Sequence, residues 1–198
     1  MEIEAVDLFY LSMPEVTDEV DGSQDALLAR VSAGGFSGWG ECEASPLTSI
    51  ANFICPKSHG AAHPVSQSVL GQEVNSPQDI YRVSNEVREK SLTILQTPHT
   101  FFSGIAIALW DLLGKHLEAP VYRMLGFDKT YPKIPYASQL FGTTPEETFE
   151  KAKFSLETGY RAVKFGWGEF GIDLTEDQKH IEAARDGLGK DCKLMVDV

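Results

Sequence analysis

Two short apolar runs constrain the fold most: residues 161–166 (RAVKFG) and 193–197 (KLMVD), with a helix-like stretch at 174–187 between them. Runs of this length and composition read as strands. Strand, helix and strand joined by short connections favour parallel pairing, because two adjacent parallel strands need a crossover between them. A further unit precedes these. Residues 134–138 have strand composition, and Thr144, Pro145 and Glu147 supply a capping hydroxyl, a proline at the first helical position and a glutamate at the third. Phe149, Ala152 and Leu156 then share one helical face, and Gly159 ends the helix. The expected order is β-α-β-α-β, the opening units of a parallel α/β barrel, in which chemistry sits at the strand ends.

The region before it reads differently. Residues 2–11, 26–33 and 36–43 have strand composition, and Gly34-Gly35 marks a hairpin turn between the last two. Residues 15–25 form a polar, acidic connection. Residues 45–75 mix Pro, Ser, Gly and His without a clean period and are expected to be irregular, with short helical pieces at most. A helix is expected over 77–91, with Ser76 as cap and Pro77 at its first position. Residues 103–116 are apolar on nearly every face and predict a buried helix; a short one follows, closed by Gly126. A boundary at residue 126 divides an α+β module, 1–126, from the α/β module, 127–198.

Charge and cysteine usage narrow the function classes. A net charge of −12 argues against a nucleic-acid or anionic-membrane surface. The three cysteines, Cys42, Cys55 and Cys192, are odd in number and widely spaced, which suits a reducing cytoplasm better than a disulfide framework or a metal pair. Residues 1–5 show no export signal. The most apolar stretch, 104–113, is too short to span a bilayer and contains Asp111. A soluble, cytoplasmic protein is expected.

Strand alternation groups the polar side chains. Ala162, Lys164 and Gly166 share one face and Val163 and Phe165 the other; Met195 and Asp197 share a face opposite Leu194 and Val196. With Val163, Phe165, Leu194 and Val196 packed on helices, Lys164 and Asp197 project together into the barrel interior. A lysine there neutralises a substrate carboxylate, or acts as a base if desolvation lowers its pKa. An aspartate at a strand tip suits a hard cation such as Mg²⁺. Other polar groups have plainer readings. Asp111 has Lys115 at i+4, the spacing of a structural ion pair. Trp39 and Trp110 are expected in the core. His59 and His63 have metal-like spacing only in a helix, which Pro64 disfavours, so they and His99 are expected in surface or substrate loops. Gly166, Gly168 and Gly171 suit a tight strand-to-helix connection better than a phosphate loop.

Five segments in order, 38–41 (GWGE), 104–115 (GIAIALWDLLGK), 120–126 (PVYRMLG), 159–164 (GYRAVK) and 194–197 (LMVD), resemble the enolase superfamily. The branch they resemble is that of mandelate racemase and muconate lactonizing enzyme. The resemblance implies an α+β capping domain followed by the first β-α-β-α-β part of a modified TIM barrel, (β/α)7β in the full-length family. It also implies Mg²⁺ and abstraction of the proton α to a carboxylate. By position, Asp197 matches the first of three acidic Mg²⁺ ligands. Lys164 matches the first lysine of a Lys-x-Lys motif, which helps neutralise the substrate carboxylate. Ser138 resembles a polar position near the substrate. Gly166 stands where the second lysine, a base, is usual, which favours a single-base dehydratase of a hydroxy acid or acid sugar over a racemase, epimerase or cycloisomerase of the same branch.

In that family the remaining metal ligands and the opposite base belong to later strands. The 198-residue chain is therefore expected to be a fragment, inactive alone, with an open strand edge that favours self-association. Its expected partners are a small-molecule carboxylate and, as in most family members, further copies of itself.

Overall fold

Gly34 and Gly35 both take positive φ, 56° and 82°, the conformation a two-residue turn needs to match the twist of antiparallel strands. In the computed structural model, which describes residues 1–16, 25–42, 45–57, 63–91, 98–168 and 170–197, that turn joins the second and third strands of the first of two units, Met1–Thr130 and Tyr131–Val198. Strands β1 (Ile3–Leu11), β2 (Ala26–Ala33) and β3 (Phe36–Cys42) form an antiparallel sheet in that order. Helices α1 (Pro46–Ile54), α2 (Val65–Val69), α3 (Pro77–Ser91), α4 (Pro98–His116) and α5 (Val121–Met124) complete the unit. Leu27, Ala29, Val31 and Ala33 alternate along β2 and are buried, as are Ile105, Ala108, Leu109 and Leu113 of α4.

The contact of α4 with β3 is unusually close. A Cβ on Gly38 would stand 1.9 Å from the Ala108 carbonyl oxygen, and one on Gly40 would stand 2.0 Å from that of Gly104. A Cβ on Gly104 would in turn meet Cys42 Sγ at 2.2 Å. Helix backbone therefore lies directly on strand backbone, and burial beneath it pushes the Cys42 thiol up to about 11. The expected Asp111–Lys115 pair forms at 2.7 Å and binds the same two elements: Asp111 Oδ2 accepts the Trp39 N–H and Lys115 Nζ donates to the Ser37 carbonyl.

Trp39 is a correction to the sequence reading. Alternation that turns Gly38 and Gly40 toward α4 turns Trp39 outward, where it is 42% exposed, beside the Phe9 ring at 5.3 Å and the Arg30 guanidinium at 5.6 Å. Trp110 packs, half-buried, against the core. The irregular stretch holds two helices, one of them nine residues long and begun by Pro46. His99, expected in a loop, falls instead in the first turn of α4, which begins at Pro98. Residues 17–24 of the acidic connection and His59 lie outside the described residues, as does the side chain of His99.

The second unit has parallel strands β4 (Ala137–Leu140), β5 (Ala162–Gly166) and β6 (Lys193–Asp197), in that order, with α6 (Pro145–Glu157) and α7 (Leu174–Leu188) between them. Val163 and Phe165 pack with Ala152, Ala184 and Leu188 of the helices. Thr144 accepts the Glu147 N–H at 3.3 Å, and Glu147 reaches back to the Thr143 N–H at 2.7 Å. Two expectations shift. β4 begins at Ala137, beyond Pro135, which has no N–H for a ladder. Val196 is 40% exposed, and only Leu194 of β6's helix-facing pair packs on the cluster. Among the described residues no helix is long and apolar enough to cross a membrane.

Two substitutions test this account by urea unfolding. Gly40→Ala forces a methyl into the α4 backbone and is expected to destabilise the first unit by about 3 kcal/mol or more. Thr144→Ala removes one cap and is expected to cost about 1 kcal/mol in the second.

Candidate active site

Parallel register sets Ser138 of β4 beside Lys164 of β5, and Gly166 of β5 beside Asp197 of β6. Paired residues of a sheet share a face, so the three polar residues singled out from the sequence lie on adjacent strands, on the face opposite Val163 and Phe165. Lys164 Nζ donates to Asp197 Oδ2 at 2.7 Å. The Lys164 side chain is 19% exposed and that of Asp197 40%. Ser138 is exposed, next to Lys164 in the ladder.

The hydrogen bond that Lys164 donates to Asp197 raises the lysine pKa above its usual 10.5; partial desolvation acts in the opposite direction and loses. Lys164 is thus an ammonium at neutral pH. In this geometry it donates a hydrogen bond to Asp197.

Position 166 has no room for a base. A Cβ there would stand 2.5 Å from the Asp197 carbonyl oxygen and 3.0 Å from Asp197 Cβ. Beyond Gly166 the chain turns sharply, with Trp167 at φ 53° and Gly168 at φ 72°. This turn brings the Trp167 ring to 4.9 Å from Lys164 Nζ; Tyr136, just before β4, places its own ring at 5.8 Å. Sequence reasoning passed over both aromatics. The available signal was a large side chain between two glycines at the end of a lysine-bearing strand.

Mg²⁺ favours octahedral oxygen ligation, with one or two carboxylates supplemented by water or substrate. Asp197 is one carboxylate, already neutralised by Lys164, and among the described residues no three His, Cys, Asp or Glu side chains converge. The described residues do not by themselves fit Mg²⁺.

A separate cleft of about 390 Å³ lies between the segment after β4 and the N-terminal half of α7, lined by Phe141, Gly142, Phe170, Asp173, Asp177 and His180. Its polar groups serve the local backbone. Asp173 caps α7 through the Thr175 and Glu176 N–H groups, and Asp177 accepts the Gly171 N–H. Thr148 accepts the Gly142 N–H at 2.9 Å and lies 2.8 Å from His180 Nδ1.

The model of the mandelate racemase / muconate lactonizing enzyme N-terminal domain matches residues 17–126. The chain belongs to this family. It is 31% identical over 140 residues to the N-succinyl-L-Arg/Lys racemase of Bacillus cereus, a match covering 71% of this chain and 35% of the racemase. It is 26% identical over 211 residues to the D-gluconate/D-galactonate dehydratase of Picrophilus torridus, covering 98% of this chain and 50% of the dehydratase. A crystal structure described as a predicted mandelate racemase from Rhodobacter sphaeroides matches the whole of this chain and 50% of its own, with 59% identity and a TM-score of 0.92. Other curated relatives are a D-galactarolactone cycloisomerase and dehydratases of arabinonate, D-gluconate and D-galactonate. The family's relatives are thus racemases, cycloisomerases and dehydratases, and the chain spans between a third and a half of the length of the racemase and the P. torridus dehydratase. Its fold is the family's capping domain with an antiparallel sheet, followed by a parallel β-α-β-α-β part of the barrel.

A raised lysine pKa contributes stability that is complete below the unfolded-state value of about 10.4 and is lost as pH rises through the higher folded value. The stability difference between the wild type and Lys164→Met, followed by urea unfolding, is therefore expected to hold from pH 7 to 10 and to shrink only in the alkaline limb above it. A difference that disappears between pH 6 and 8 would instead mark Lys164 as a base at neutral pH.

Proposed function

We propose that Lys164, Asp197 and Ser138 form part of the active site of a Mg²⁺-dependent enzyme that removes the proton α to the carboxylate of a hydroxy acid or acid sugar, and that the reaction is a dehydration. The observation that carries this reading is the geometry: Lys164 Nζ bonded to Asp197 Oδ2 at 2.7 Å, with Ser138 beside Lys164 in the ladder. An ammonium held on Asp197 is suited to bind the substrate carboxylate, and neutralising that carboxylate makes the neighbouring C–H more acidic. The Ser138 hydroxyl, beside it in the ladder, donates to the same end of the substrate.

Gly166 supports dehydration over racemisation. Racemisation through two opposed bases needs a proton acceptor on each side of the α carbon, and position 166 offers none. Dehydration needs one base for the α proton and an acid for the departing hydroxyl. The dehydratases among the relatives fit this reading, and the racemase and the cycloisomerase supply the alternative within the same family. Asp197 would supply one oxygen donor to Mg²⁺. The acidic charge and odd cysteine count support a soluble cytoplasmic protein, with a small-molecule carboxylate and further copies of itself as partners.

Exchange of the substrate α proton with D₂O, followed by proton NMR across a panel of sugar acids, tests the reading on the protein purified from its natural source. Exchange is expected to need Mg²⁺ and to fall by about 10²-fold or more in Lys164→Met, the loss typical of one electrostatic contact to a transition state. Exchange at the wild-type rate in that variant would sink the assignment.

A further inference from the structure

We propose that Trp167 is a specificity-determining residue: its indole forms an aromatic wall beside Lys164, against which the C–H face of a polyhydroxylated carboxylate lies. The inference rests on the reading of Lys164 as the carboxylate-binding group, and it adds to that group a determinant of substrate class.

Backbone strain is the first support. Trp167 takes φ 53°, the left-handed region that glycine adopts freely and a bulky residue does not. Glycines stand on both sides of it, so the chain already has the freedom this turn needs, and the costly feature is the indole itself. The residue is 46% exposed and its indole open to a ligand in this chain. Strained residues cluster at active sites and ligand clamps.

Placement is the second support. The ring centroid lies 4.9 Å from Lys164 Nζ, and the half-exposed Tyr136 ring lies 5.8 Å from the same atom. An ammonium has three N–H donors, and the bond to Asp197 engages one of them. An anion bound by the others comes to rest beside aromatic surface. A ligand matched to that surroundings joins a carboxylate head to a chain that is apolar along its C–H bonds and polar at its hydroxyls. Sugar acids have this form. Acetate lacks the chain, and neutral sugars lack the head.

The test uses the ¹⁵N-labelled full chain, with the Trp167 indole N–H assigned by its loss in Trp167→Phe. Sodium D-gluconate is expected to shift this signal saturably. Sodium acetate at equal concentration is expected to shift it far less, and D-glucose not at all. Trp167→Gly is expected to weaken gluconate binding about five-fold or more while leaving Tm unchanged or higher, because glycine is at ease in this turn. Gluconate shifts at the Ser138 and Phe165 amides without movement of the indole, or unchanged binding in Trp167→Gly, would overturn the wall and leave Lys164 as the carboxylate group. A lowered Tm with unchanged binding would make Trp167 structural. No response to gluconate at any signal would remove both the wall and the reading of Lys164 beneath it.

Discussion

Parallel pairing of β5 with β6 sets Gly166 against Asp197 so closely that the Asp197 carbonyl oxygen lies 2.5 Å from where a Cβ would stand. The features of the candidate site depend on that approach. It brings the Asp197 carboxylate within 2.7 Å of Lys164 Nζ, and the resulting bond keeps the lysine charged. The turn just beyond Gly166, at Trp167 and Gly168, carries the Trp167 ring to the ammonium.

The first unit uses a comparable device for a different purpose. Gly38 and Gly40 on β3, facing Gly104 and Ala108 on α4, let a helix rest on a strand with no side chains between them. The close contact buries the apolar face of α4 and turns Trp39 to the outer face of the sheet. The Asp111–Lys115 pair then ties the two elements by main-chain hydrogen bonds. The partly exposed Asp111 carboxylate is accounted for by this tie.

Lys164 and Gly166 together shape the chemistry this half-site can support. A charged lysine binds and polarises a carboxylate, and a glycine in the neighbouring inward position withholds a base from that side. This combination separates the chain from a symmetric two-base arrangement while keeping it within a family whose relatives include racemases, cycloisomerases and dehydratases. On the proposed reading, carboxylate binding and the choice of reaction rest on different residues of one strand.

Much of the fold was legible in the sequence, because its signals are local. The periods of two and of 3.6 residues, the Gly34-Gly35 turn and the Thr144 cap act within a few residues of themselves. They located β2, α3 and β6 at their observed bounds, and alternation alone put Lys164 and Asp197 on one face. Where a local signal was misjudged, as at Pro135 before β4, the error lay in the bounds of the element. Tertiary structure decided what depends on residues distant in sequence. The collision that forbids a side chain at 166, the direction of Trp39, and the meeting of Tyr136, Trp167 and Lys164 each require two separate segments to be placed against one another. Composition and periodicity describe one segment at a time, so the residues were legible there, and the distances between them arose only when the strands paired.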